Sequence, residues 1–202
     1  HSAGHISNEE AYELLMALKE ELDSDSITFH PGVSYRHLLV IKNGINDFSC
    51  TPPHDVPGTP SLDVMVKANN SKSATGDLLN ELILKSQEIL SKHPINLKRI
   101  AEGKDPANSI WPWSPGNKPE MKTLQELYGK TGAVISAVDL LYGIGAYAGM
   151  KAIKVPGSTG LYDTNYEGKA ETALKALEEV DLVYLHIEAS DEAGHEGNAE
   201  LK

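Results

Sequence analysis

Leu182-Val183-Tyr184-Leu185-His186-Ile187 is a short apolar run that empties into Glu188-Ala189-Ser190-Asp191-Glu192-Ala193-Gly194-His195-Glu196-Gly197. An apolar, β-branched and aromatic segment bounded by acids and glycines reads as a buried parallel strand. In open α/β sheets, ligands gather outside the carboxyl ends of such strands. The spacing of Asp191 and His195 therefore suits two ligands of one divalent cation, a carboxylate oxygen and an imidazole nitrogen being donors for manganese, zinc or iron. The alternative is a solvated acidic loop following a strand. Gly194 and Gly197 favour the ion, since they let the backbone wrap closely around it. With only seven residues after His195, the site is expected to draw further ligands from elsewhere, and the chain reads as a fragment.

Working back from this stretch, the pattern is strand, helix, strand, helix, strand: Ala133-Val134-Ile135, then Ala137 to Gly149, Ala152 to Val155, Tyr166 to Glu179 and Leu182 to Ile187. That alternation implies a parallel α/β sheet. Asp163-Thr164-Asn165 reads as a turn and helix cap before Tyr166. His186, inside the expected strand, reads as a hydrogen-bonded core residue or one supporting a ligand. The amino-terminal half differs. Ser7-Asn8-Glu9-Glu10 has capping-box spacing, and Tyr12, Leu15, Met16, Leu18 and Leu22 continue at helical period, predicting a helix over Asn8 to Leu22. Ser26 to His30 and Tyr35 to Ile41 read as strands joined at Pro31-Gly32. A second helix is expected from Gly76 to Lys92, and a short one from Ile95 to Gly103. Ahead of both helices, Cys50 to Pro60 packs four prolines around His54 and Asp55, a stiff loop that cannot pair fully in a sheet. Pro106 to Pro119 is irregular and carries Trp111, Trp113 and Lys118. The expected division is an α+β domain over 1–112 and an α/β domain over 113–202.

Composition narrows the function. The 202 residues are 40% hydrophobic and 23% charged, with a formal net charge of -11, ordinary for a soluble globular chain and opposed to nucleic-acid or anionic-lipid binding. The apolar runs are too short to span a bilayer, and the amino terminus has no signal-peptide pattern. The single Cys50 rules out an internal disulfide and a Cys-rich zinc cage. A cytoplasmic enzyme without nucleic-acid or membrane partners is the expectation; oligomeric state is not encoded in any visible pattern.

Seven stretches then carry a family resemblance: Ser2-Ala3-Gly4-His5-Ile6, Gly32 to Val40, Thr51-Pro52-Pro53-His54-Asp55, Ile110-Trp111-Pro112-Trp113, Ser136 to Leu141, Asp163 to Ala170 and His186 to Gly197. In this order they resemble signature stretches of the archaeal-type, 2,3-bisphosphoglycerate-independent phosphoglycerate mutases of the alkaline phosphatase superfamily. The resemblance implies an inserted substrate-capping domain over 1–112 and part of a metal-binding α/β domain over 113–202, with Asp191 and His195 in the metal centre. It implies divalent metal, manganese first with zinc or magnesium as alternatives, and a small phosphorylated hydroxy acid as substrate. The family's early metal-binding aspartate, serine nucleophile and later Asp-His and histidine ligands have no counterpart here.

Within the resemblance, His54 and Asp55 are candidates for moving a proton at a glycerate hydroxyl, the alternative being a turn with a solvent-facing histidine. Arg36 offers a planar fork for carboxylate or phosphate. His5 precedes a helix amino terminus and could face an anion. His37 would alternate away from Arg36 on a regular strand. Lys118 could reach phosphate across an interdomain cleft, while Trp111 and Trp113 read as packing residues. A homoserine-kinase-like phosphotransferase of the same superfamily, and a non-catalytic binding module, are the competing functions.

Overall fold

A computed structural model describes residues 2–195 and 197–202, with His195 described by its backbone alone. The chain divides into two compact units, His1–Asn117 and Lys118–Lys202.

In the first unit, helix α1 spans Asn8–Leu22, the predicted bounds. Ser7 caps it, its hydroxyl accepting the Glu10 N–H at 3.2 Å. Ala11, Leu14, Leu15, Leu18 and Leu22 form its buried stripe. These residues pack with Ile27, Phe29, Leu82 and Leu90 into one apolar core, where each fully buried Leu or Ile contributes roughly 1.5–3 kcal/mol. Leu82 and Leu90 come from α2, Ala74–Leu90, capped by Ser73. A short helix α3, Pro94–Ala101, follows.

Strands β1, Ile27–His30, and β2, Leu38–Ile41, pair antiparallel, with Ile27 opposite Ile41 and His30 opposite Leu38. The expected second strand began at Tyr35, and the structure corrects this. Ser34 takes φ +53° and the Arg36 N–H bonds back to the Val33 carbonyl at 3.0 Å. The chain therefore turns over Gly32, where a Cβ would lie 2.3 Å from the Arg36 carbonyl oxygen. Arg36 and His37 lie in this turn and not on a strand. Two shorter rungs, β3 at Phe48–Ser49 and β4 at Lys67–Ala68, pair antiparallel. Phe48, Val66, Leu79 and Ile83 form a second core against which Trp111 packs.

The second unit is a parallel three-stranded sheet in the order β6-β5-β7, formed by β5 at Gly132–Ile135, β6 at Lys151–Ala152 and β7 at Leu182–Leu185. All of β5 is buried, as a central parallel strand should be, whereas β7 alternates exposed and half-buried. Helix α5, Asp139–Tyr147, links β5 to β6, and α6, Tyr166–Ala176, precedes β7. Asn165 caps α6, accepting the Gly168 N–H at 2.9 Å. The α/β architecture read from the sequence is thus the observed one. Two helices were not expected: α4, Leu124–Tyr128, opened by a Thr123–Glu126 capping box, and α7, Ala189–His195. The second takes up the segment for which the sequence offered ion-wrapping ligands or, as the alternative, a solvated acidic loop.

Candidate functional site

The first unit carries an open cleft of about 1340 Å³. His5, Arg36 and His37 all line it, with Phe29, Trp111 and Trp113 among its apolar walls. Because Arg36 and His37 sit in a turn, the strand alternation that would have separated them does not apply. The Arg36 guanidinium lies 4.7 Å from the centroid of the Tyr35 ring, a cation–π contact that leaves its donors available. The His37 Nδ1 accepts the Gly32 N–H at 3.2 Å, which requires a neutral nitrogen there. Although His37 as a residue is exposed, desolvation by its turn pushes its pKa below the ordinary histidine value.

His5 reaches the cleft from an unusual backbone. Ala3, Gly4 and His5 have φ of +48°, +61° and +54° in succession, a left-handed turn closed by the Ile6 N–H on the Ser2 carbonyl at 3.1 Å. Each L-residue held this way costs about 1–2 kcal/mol, so the surroundings must over-determine the turn. Ser34 supplies one tie, donating its hydroxyl to the Ile6 carbonyl at 2.6 Å while its N–H donates to the Asn8 side chain at 2.7 Å. The His5 turn and the Arg36 turn are therefore bonded to each other.

His54 and Asp55 occupy a 3-10 turn, Pro53–Asp55, in the middle of the proline segment. Their Nε2 and Oδ1 atoms are 3.7 Å apart, and both side chains are well exposed. His54 also packs edge-on against Trp113, with centroids 5.2 Å apart. Pro53 and Trp113 line the cleft, so the pair stands beside it. Trp111 holds the segment by donating Nε1–H to the Thr51 carbonyl at 2.9 Å. Cys50 is half-buried, and burial raises its thiol pKa, as befits an unreactive cysteine.

In the second unit, Lys118 lines a smaller cavity of about 710 Å³ with Glu120, Met121 and Tyr147. A separate polar cluster forms at the carboxyl ends of β5 and β7. Ser136 follows β5, and its hydroxyl lies 3.5 Å from the Nδ1 of His186, which follows β7 rather than lying within it. The His186 Nε2 is 3.2 Å from the Glu188 carboxylate. Beneath them Lys169 is 1% exposed, its ammonium donating to the His186 carbonyl at 3.3 Å. Desolvation lowers its pKa, against the opposing pull of Glu188. A lysine on an otherwise polar helix gave no sign in the sequence that it would be buried. The next element is α7, which carries Asp191, exposed, and ends at His195. Positions 191 and 195 are one helical turn apart, on one face; the side chain of His195 lies outside the described residues. Among the described residues no group of three or more His, Cys, Asp or Glu side chains is placed to hold a metal ion. The chain thus offers part of a donor set, a carboxylate and an imidazole position at a spacing that two ligands of one ion would use.

The chain is similar to known proteins along its whole length. The profile of 2,3-bisphosphoglycerate-independent phosphoglycerate mutases matches residues 1–96. A Methanosarcina acetivorans 2,3-bisphosphoglycerate-independent phosphoglycerate mutase is 53% identical over 203 residues, covering all of this chain and 50% of that protein. A Geobacter sulfurreducens protein named a probable mutase of this kind is 50% identical over 202 residues, again all of this chain and 49% of its own length. Over its whole length the chain is similar to 2,3-bisphosphoglycerate-independent phosphoglycerate mutases.

It spans about half the length of the curated mutases it matches. Two solved structures share its fold. A cofactor-independent phosphoglycerate mutase from Thermoplasma acidophilum superposes with a TM-score of 0.65 at 26% identity, over 92% of this chain and 48% of that one. A Pyrococcus horikoshii protein superposes with a TM-score of 0.72 over all of this chain and 48% of its own, and at 23% identity it speaks for the fold alone. Among the described residues, no helix is long and apolar enough to cross a membrane.

Proposed function

We propose that this chain forms part of a metal-dependent phosphoglycerate mutase that interconverts 3-phosphoglycerate and 2-phosphoglycerate through a phosphoserine on a residue outside positions 1–202. The first unit is the substrate-capping part and the second belongs to the metal-binding sheet domain. The observation that carries this reading is the identity of about half, over the whole chain, with proteins bearing that name. The convergence of Arg36, His37 and His5 on one cleft supports it. Arg36 supplies the planar fork for the carboxylate or phosphate of a small phosphorylated hydroxy acid. His5 and His37 add imidazoles beside it, while Lys118, on the wall of its own cavity in the second unit, is a candidate cation for phosphate. His54 and Asp55, accessible and adjacent, move a proton to or from a glycerate hydroxyl. A wall of apolar side chains keeps water from the held glycerate, which limits loss of the phosphoryl group to hydrolysis.

Asp191 and His195 would hold a divalent ion, manganese by preference, with zinc or magnesium as substitutes. Such an ion, when bound, neutralises charge on phosphoryl oxygens and lowers the pKa of an attacking hydroxyl. The test is an assay of a chain extended to its relatives' length. Conversion of 3-phosphoglycerate without nucleotide, stimulated by manganese, is expected, and the 202-residue chain alone should show no turnover above background. Phosphorylation of homoserine that requires ATP, with no mutase activity, would replace this reading by a kinase of the same superfamily.

A further inference from the structure

Arg99 is 4% exposed and lies on α3, far along the chain from every candidate residue. Its guanidinium spreads over three partners. Nη2 donates to the Ala3 carbonyl at 2.6 Å, Nε to the Asp105 carbonyl at 2.8 Å, and Nη1 to the Glu10 carboxylate at 2.5 Å. The Ala3 carbonyl belongs to the left-handed turn, Glu10 to the first turn of α1 that follows it, and Asp105 to the segment beneath. Gly4 at the centre of the turn sits directly against this cluster: a Cβ there would lie 3.5 Å from the Asp105 carboxylate and 3.8 Å from Arg99 Nη2.

A left-handed turn holding two L-residues does not persist on its own single closing bond. The fork of a buried arginine supplies the rigid, multidentate anchor that it needs, which a lysine could not reproduce. The second anchor, Ser34, ties the same turn to the loop that carries Arg36 and His37. We propose that Arg99 is a positioning residue: by fixing the Ser2–Ile6 left-handed turn it sets His5 at the rim of the cleft, beside the Arg36 turn, for the anionic end of a small phosphorylated hydroxy acid. The recognition half of this inference rests on the function proposed above; the structural half does not.

Two substitutions in the 202-residue chain test it. Arg99→Lys removes the fork and keeps the charge. Gly4→Ala leaves the arginine network in place, adds a methyl with ordinary contacts, and penalises only the positive φ. Amide hydrogen exchange of Ile6, whose N–H closes the turn, is read first, and 3-phosphoglycerate titrated against the histidine ring signals by NMR is read second. Both variants should exchange the Ile6 amide about tenfold faster or more, the scale set by one left-handed L-residue, while α2 amides keep their wild-type protection. Both should also weaken the 3-phosphoglycerate response of His5 about tenfold. Unchanged Ile6 exchange in both variants overturns the inference whatever binds. Faster exchange with an unchanged His5 response, while Arg36→Met abolishes that response, overturns the positioning role and leaves the substrate reading intact. If Arg36→Met has no effect, the substrate reading fails, and Ile6 exchange still decides what Arg99 holds.

Discussion

Gly143 and Gly145 stand two residues apart in α5, and the structure predicts opposite outcomes for the same substitution at each. A Cβ built on Gly145 would lie 2.5 Å from Val134 Cγ1 and 3.2 Å from its Cβ, whereas one on Gly143 meets nothing within 4 Å. Val134 is 1% exposed at the centre of β5 and has nowhere to retreat. Alanine gains about 1 kcal/mol over glycine in a helix interior. At position 143 that gain stands alone, so Gly143→Ala should stabilise the second unit by about 0.5–1 kcal/mol. At position 145 it is set against overpacking of about 1–3 kcal/mol. Because a 2.5 Å approach must open by roughly an ångström to reach ordinary contact, the upper half of that range applies, and Gly145→Ala should destabilise by about 1–2 kcal/mol. Tryptophan fluorescence cannot follow this, since Trp111 and Trp113 both lie in the first unit. Amide exchange of Val134 and Ile135 in urea reports it directly. Adding Val134→Ala to Gly145→Ala should show a favourable coupling of at least about 1 kcal/mol. Changes of the same sign and size for the two glycines would refute the claim that helix and strand are held at contact by the missing side chain at 145.

Three further outcomes are expected. Asp181 accepts the Thr131 N–H at 2.9 Å and the Lys130 ammonium at 2.9 Å, and these bonds, the backbone one foremost, lower its pKa from 3.8 to about 2. A depressed carboxylate stabilises the fold above its unfolded pKa and loses that contribution as pH falls; Asp181→Asn should therefore flatten the acid-unfolding curve between about pH 4 and 2, and an unaltered curve by circular dichroism would count against it. Lys169→Met, which keeps the stem and discards a desolvated ammonium, should leave stability unchanged or raised in urea titration, whereas Lys169→Ala should lose about 2 kcal/mol or more through the cavity. Equal losses in the two variants would show that the charge, not the stem, holds the cluster. In a chain of the relatives' length, Asp191→Ala should lower mutase turnover by at least about a hundredfold with an unchanged circular dichroism spectrum, because an exposed carboxylate is removed. Wild-type turnover in that variant would remove Asp191 from the chemistry.

Much of this architecture was legible in the residues because its signals are local. Ser7 and the Leu15-Leu18-Leu22 spacing give α1 its observed ends, although Tyr12 and Met16, read into the same stripe, are exposed and Leu14 is buried instead, and the β5, β6 and β7 runs alternate with helical segments as a parallel sheet requires. What escaped depended on distant partners. The acidic composition of Glu188 to Glu192 concealed α7, although Ala189 and Ala193, both buried, keep one-turn spacing. Tyr35-Arg36-His37 looked extended, but Ser34 bonds to Ile6 and Asn8 in another element and breaks the strand. Arg99 and Lys169 have side chains that ordinarily face water, and only tertiary bonds reveal that they do not. The candidate residues of the first unit were named from resemblance; the shared cleft of His5, Arg36 and His37, and the left-handed turn behind it, emerge only from coordinates.

The turn between β1 and β2 rests on a ladder whose register is set by Ile27, Phe29, Leu39 and Ile41, none of which it contains. The residues proposed for recognition are thereby decoupled from the scaffold. Residues 31–37 could be exchanged between homologues or recharged while the hairpin stem kept its alignment, provided that Gly32 and the hydroxyl at position 34 were retained. Divergence toward a different ligand would then proceed by rewriting one short connection, with little risk to the hydrophobic layers that keep the polypeptide folded.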